Sequence, residues 1–266
     1  MAMSLVRTEV SDKIGWLVLN RPEKLNAFSA DLLRDFDEAL DMLADDPGVS
    51  VIVLRGEGRA FSVGYDVAGG DNAGRVRALD DWLQLRGKID TWLKVWRCPK
   101  PVIAAVHGYC MGGATMLSVC CDLTVVADDA VIGWPSVPLG AGLISPVSAW
   151  LVGPKKAKEL GYIVGSRMSG EEAAEWGWAN YAVSVGEVND KALSLARRIA
   201  KTPLELLQVK KRALNRVMDM QGFSEVVMFG AEFDAIAHDS QSVEDITAQI
   251  ERDGLKATIS QFTSEG

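Results

Sequence analysis

The chain has 266 residues, 48% of them hydrophobic and 24% charged, enough apolar material for a large buried core and too much for wholesale disorder. The formal net charge is -8 and no basic cluster offsets it, which excludes a protein built mainly to bind nucleic acid. Two stretches without formal charge, 101–121 and 130–154, are long enough to suggest membrane spans, but Gly and Pro break both, so they read as strand-turn-helix segments of a core.

In chain order, the N-terminal MAMSLVRTEVSDK has no apolar run of signal-peptide type. Ile14–Leu19 reads as a short strand, ended by the turn Asn20-Arg21-Pro22. Ser29 caps a helix through Leu43, with Leu32, Leu33, Phe36, Leu40 and Leu43 on one face. Ser50–Leu54 is a buried strand, followed by a Gly/Arg loop and by Phe61-Ser-Val-Gly-Tyr-Asp66. Residues 67–78 are polar and Gly-rich, and a mobile loop is expected there. A helix runs from Leu79 to Trp96 and ends before Pro99 and Pro101.

Val102–Val106 is a strand, and a helix begins near Gly112. Leu123–Ala127 and Val131–Trp134 are further strands. The region 145–164 reads as a helix pair or one broken helix. Ser169 and Glu172 form a capping box that opens another helix, and Tyr181–Val185 is a last short strand. From Asn189 the pattern is helical, with a break at Pro203. Strands alternating with helices define an α/β layered domain. The division expected is a core domain over 1–198 and a helical region over 199–266, an arm or lid that packs on another subunit.

The four cysteines, Cys98, Cys110, Cys120 and Cys121, contain no C-x-x-C pair, and only two histidines occur, His107 and His238. Buried, reduced thiols in a cytoplasmic protein are expected, and no metal site.

Three segments carry more. They are Leu19-Asn-Arg-Pro-Glu-Lys-Leu-Asn-Ala27, Arg59-Ala-Phe-Ser-Val-Gly-Tyr-Asp-Val67, and Lys100-Pro-Val-Ile-Ala-Ala-Val-His-Gly-Tyr-Cys-Met-Gly-Gly-Ala114. In this order and spacing the chain resembles the enoyl-CoA hydratase/isomerase (crotonase) superfamily over nearly its whole length. The resemblance implies a crotonase-like spiral of β-β-α units with a C-terminal helical region, assembled as a homotrimer or dimer of trimers. It implies an acyl-CoA thioester as substrate, with coenzyme A present only as part of that substrate and no permanently bound cofactor. It places the thioester carbonyl between the backbone N–H groups of Tyr65, after Gly64, and of Gly113, after Gly112. Two fixed donors there would stabilise an enolate. Gly113 suits such a post, since no Cβ obstructs approach and a helix N-terminus adds its positive end.

By the same resemblance Lys24 and Ala27 lie along the nucleotide end of CoA, where Lys24 either meets a phosphate or remains a solvated surface lysine. Arg252 stands where the family often has a basic residue near the phosphates. Asp66 corresponds to an aspartate of mostly local structural role, and Ser62 is a polar neighbour of the site.

Hydratases of the family hold and activate water with two glutamates. Those positions are Met116 and, in Gly133-Trp-Pro-Ser136, Ser136. Neither Ile144 nor Ser145, where some isomerases and a dehalogenase carry an acid, restores one. The acid/base pair for hydrating an unactivated enoyl-CoA is therefore missing. Tyr65 is expected to donate a proton or orient a substrate carboxylate or ketone, unless it only shapes the pocket. Tyr109, Cys110, Ser136 and Ser145 are the other polar groups nearby, and Asp80 or Asp81 could approach from the following helix. Trp134 and Met116 are expected to make a large, apolar acyl pocket. The enzyme expected is a lyase or isomerase acting through an oxyanion-held enolate, other than plain hydration. The alternatives are a decarboxylase, a ring-opening C–C hydrolase, or a catalytically silent acyl-CoA binder.

Overall fold

The computed structural model describes residues 4–66, 77–134 and 147–263. Short β-rich runs separated by glycine turns fold into strands that alternate between two sheets. The strands are β1 (Val6–Ser11), β2 (Ile14–Leu19), β3 (Val51–Gly56), β4 (Ala60–Ser62), β5 (Val102–Val106), β6 (Tyr109–Met111), β7 (Leu123–Ala127), β8 (Val131–Gly133), β9 (Arg167–Ser169) and β10 (Tyr181–Val183). One sheet has the order β1-β2-β3-β5-β7-β10, and the other β4-β6-β8-β9. Pairing is parallel except for β1 with β2 and β8 with β9. Each successive pair, β3/β4, β5/β6 and β7/β8, gives one strand to each sheet. The chain therefore climbs as a spiral of β-β-α turns.

The helices are α1 (Ala30–Asp45), α2 (Ala78–Arg97), α3 (Gly113–Val119), α4 (Ser148–Leu151), α5 (Pro154–Tyr162) and α6 (Gly170–Glu175). The C-terminal part adds α7 (Val188–Ile199), α8 (Leu204–Met220), α9 (Phe223–His238), α10 (Gln241–Asp253) and α11 (Leu255–Thr263). The Ser29 hydroxyl caps α1 by accepting from Leu32 N, and Leu32, Phe36, Leu40 and Leu43 form its buried face. The capping box at Ser169 and Glu172 forms as expected. None of the described helices is long and apolar enough to cross a membrane.

The strand over Val6–Ser11 escaped the sequence reading because it is an edge strand with only Val6 buried, so no apolar alternation marks it. Three-residue strands such as β6 and β9 are too short for periodicity to register. Of the expected mobile loop, residues 67–76 lie outside the described residues, and Arg77 and Ala78 instead form the N-cap and first residue of α2. The region after 147 is two helices, parted at Gly153, whose φ of 78° a side chain would resist. The last strand stops at Val183, and 185–187 is a 3-10 turn.

The C-terminal helices also bind their own chain. On α8, Lys211 is buried and donates to the carbonyls of Val95 and Lys100 and to Asp122 Oδ2 at 2.7 Å. Asp122 Oδ2 also accepts from Val102 N, so one ion pair ties α8 to the end of α2 and the start of β5. Burial raises the Asp122 carboxyl above its ordinary value, and the Lys211 charge and hydrogen bond oppose that rise. Lys211→Met is expected to lower unfolding free energy in a denaturant titration by about 3 kcal/mol, because it leaves a buried charge without its cation. Adding Asp122→Asn should restore part of the loss.

Candidate active site

The second sheet places the candidate donors. β4 and β6 are parallel neighbours, with Ser62 opposite Cys110. The residues just beyond their C-terminal ends, Gly64-Tyr65 and Gly112-Gly113, therefore lie side by side. The approach is close. A Cβ on Gly64 would fall 2.6 Å from the Met111 carbonyl oxygen and 3.0 Å from Gly113 N. A Cβ on Gly113 would fall 2.7 Å from Cε2 of Tyr65. Gly64 and Gly112 also hold φ of 83° and 54°, which favour glycine. Among the described residues, neither the Tyr65 N–H nor the Gly113 N–H donates to any acceptor. Gly113 is the first residue of α3, so its N–H belongs to the unspent set at a helix N-terminus.

The 21–28 segment straps this turn in place. Leu25 and Asn26 have φ of 51° and 56°, so the chain folds tightly after Pro22. Asn26 is fully buried and donates to the carbonyls of Glu57, Ala60 and Phe61, while its Oδ1 accepts from Arg21 N. The buried Ser62 hydroxyl donates to Asn26 O and accepts from Gly64 N at 3.1 Å. Phe28 N donates to Gly64 O, and Asp66 N to Phe28 O. Arg21 Nη1 reaches both Ala27 O and Asp66 Oδ2, the latter at 2.7 Å. Asn26 and Arg21 were not singled out from the sequence; the signal was a polar pair within a motif whose residues were read only for ligand contact.

Tyr65 packs edge-on to Phe28 and against Trp92 of α2. Its hydroxyl accepts from Trp92 Nε1 at 3.0 Å. Burial pushes the phenol well above its ordinary value; the Trp92 hydrogen bond opposes this and the charge of Asp234 on α9 adds to it. Asp234 is fully buried, and sequence reasoning missed it because nothing in α9 marks one acid as interior. At the position one turn into α3, Met116 is fully buried and apolar. Trp134 follows β8, whose Gly133 carbonyl accepts from Gly112 N, and its buried Nε1 has no partner among the described residues. Ser136, Ile144 and Ser145 lie outside the described residues.

Several expected contributors are elsewhere. Lys24 is exposed in the 3-10 turn 22–24. Arg252, on α10, is exposed and pairs with its neighbour Asp253. Asp81 is bound by His238 Nδ1 at 2.7 Å, which occupies both residues and places His238 in an α9–α2 contact. His107 Nε2 bonds Gly58 O, a structural link. The four cysteines are buried and free, and burial raises Cys120 to about 12, so none is a ready nucleophile.

The chain belongs to the enoyl-CoA hydratase/isomerase family, whose model matches residues 9–255. Among curated proteins it is 34% identical over 223 residues to a hydroxycinnamoyl-CoA hydratase-lyase from Pseudomonas fluorescens, covering 81% of this chain and 79% of that one. A structure from Novosphingobium aromaticivorans, described as an enoyl-CoA hydratase/isomerase, superposes with a TM-score of 0.92 at 40% identity, over 98% of this chain and 96% of that one. An enoyl-CoA hydratase/isomerase from Xanthobacter autotrophicus Py2 gives 0.90 at 35% identity, over 97% of each chain. The mixed α/β spiral is thus the crotonase fold.

The state of Tyr65 is testable directly. In a spectrophotometric titration, the difference between the native chain and Tyr65→Phe should show no phenolate signal near pH 10, where an ordinary phenol ionises at about that value. The signal should appear only at higher pH or on unfolding. A normal phenolate step in that difference spectrum would contradict the buried, neutral Tyr65.

Proposed function

We propose that this crotonase-family enzyme acts on an acyl-CoA thioester in a lyase-type reaction, with Tyr65 N–H and Gly113 N–H holding the thioester oxygen as an enolate forms. The observation that carries this reading is the pair of unspent N–H groups brought together by glycines that leave no room for a side chain. Breaking a bond beside Cα, by losing CO2 or a carbonyl fragment, places negative charge on that oxygen and needs no base to remove a proton from carbon. Plain enoyl hydration does need acid/base groups, and Met116 and Ser136 stand where its glutamates would be. The hydratase-lyase relative supports a lyase-type outcome. Lys24, Ala27 and Arg252 belong, on this reading, to the CoA end, and Trp134 and Met116 to the acyl end.

The test compares crotonyl-CoA, a malonyl-type CoA, a β-hydroxyacyl-CoA and a cyclic β-keto acyl-CoA. Cleavage or decarboxylation is expected to exceed crotonyl-CoA hydration. Gly113→Pro should lower kcat by a further ~10²–10³-fold relative to Gly113→Ala, since both add a Cβ and only proline removes the N–H. Turnover in folded Gly113→Pro equal to a measurable turnover in Gly113→Ala would refute the oxyanion role. Saturable thioester binding with no turnover would instead favour a silent binder.

The reading includes a homotrimer or dimer of trimers. Leu206, Val209, Leu214, Val217 and Met220 are all more than half exposed on α8, an apolar surface unusual for a lone chain. Light scattering is expected to return three or six times the 28.8 kDa chain mass, and Val209→Glu with Val217→Glu to lower it. A monomer at micromolar concentration would refute the assembly.

A further inference from the structure

We propose that Lys88 selects acyl-CoA thioesters whose acyl group carries a carboxylate, an inference that rests on the thioester site just described. Lys88 lies one turn before Trp92 on α2, and the two share a face. Trp92 holds the Tyr65 hydroxyl, and the Lys88 ammonium stands 5.0 Å from the centroid of the Tyr65 ring. At that distance the ring attracts the cation and keeps it over the site. The edge of the same ring lies against Gly113. One aromatic ring therefore separates an ammonium from the candidate oxyanion donors.

This charge is unspent. Lys88 is half-buried, yet among the described residues it makes no hydrogen bond and no ion pair. Its neighbours on α2 differ. Lys94 pairs with Asp41 at 2.6 Å, and Asp81 is taken by His238. The contacts of Asp81 with His238 and of Trp96 with Phe223 run α2 and α9 antiparallel, which sets Asp234 near Leu85. Asp234 bears on the Tyr65 phenol, and among the described residues no ion pair joins it to Lys88.

A second donor beside Lys88 is also unused. The Tyr65 hydroxyl accepts from Trp92, and its own proton has no acceptor among the described residues. A buried donor without an acceptor is costly and asks for an explanation. A ligand that brings acceptor oxygens and a negative charge supplies one. A carboxylate on the acyl chain does both, whereas a plain alkyl chain leaves every one of these donors unsatisfied.

The experiment measures binding of glutaryl-CoA and pentanoyl-CoA, which share a five-carbon acyl chain and differ in the terminal carboxylate. The native enzyme should bind glutaryl-CoA at least about tenfold more tightly, as a charge-assisted hydrogen bond provides. Lys88→Met should bring that ratio toward one, and Lys88→Arg should keep most of it. Continued binding of pentanoyl-CoA by Lys88→Met shows that the variant is folded. A native ratio near one, or a ratio that survives in Lys88→Met, would overturn the role of Lys88 and leave the thioester site standing. Failure of both thioesters to bind the native enzyme would overturn both.

Discussion

The site depends on the approach of two backbone segments with no side chain between them. Gly64 faces Met111–Gly113 at distances that even a methyl group would violate. Two parallel neighbours of the second sheet, β4 and β6, bring the segments together, and the 21–28 strap holds one of them. The strap has its own cost. Two consecutive non-glycine residues sit at positive φ, a conformation worth of order 1–3 kcal/mol each when held. Asn26 offsets this with four hydrogen bonds, three of them to the 57–61 segment, so the strained loop is held by the strand beside it.

The chemistry follows from what this frame leaves unpaired. Backbone N–H groups at a helix N-terminus and in a tight turn need no titrating group to stabilise negative charge, and they are fixed before substrate arrives. One turn into α3, Met116 is fully buried and brings apolar volume rather than a carboxylate. An acid whose charge bears on Tyr65, Asp234, comes instead from α9, an element distant in sequence that packs along α2. The C-terminal helices thus help to build the site of their own chain, through Asp234 and the His238–Asp81 pair, as well as offering an apolar surface on α8.

The sequence was most legible where local chemistry repeats. Ile14–Leu19, Val102–Val106 and Leu123–Ala127 are strands because each is a short apolar run bounded by turns or by proline, and no tertiary contact was needed to recognise them. The helix at Ser29 announced itself by its cap. The adjacency of Gly64 and Gly113 was available only through the family resemblance, because it depends on which strands pair. Lys88, Trp92 and Asp234 were illegible for the same reason. On its own helix Lys88 resembles a surface lysine, and only the position of Tyr65 beneath it gives it meaning. Polar residues within a helix carry no mark that distinguishes interior from surface.

Tyr65 joins these levels. Its N–H has no acceptor among the described residues, its ring takes the space a side chain on Gly113 would need, and its hydroxyl is fixed by Trp92. Ring and glycine are therefore one packing unit: a larger residue at 113 displaces the ring, and a smaller residue at 65 leaves a void beside the first turn of α3. The same ring carries Lys88 on its face. A change in where the ring lies would move Lys88 and the wall beside Gly113 together. The bulky aromatic at 65 thus has a structural part of its own: one edge of the ring packs toward Gly113 and one face carries the Lys88 ammonium.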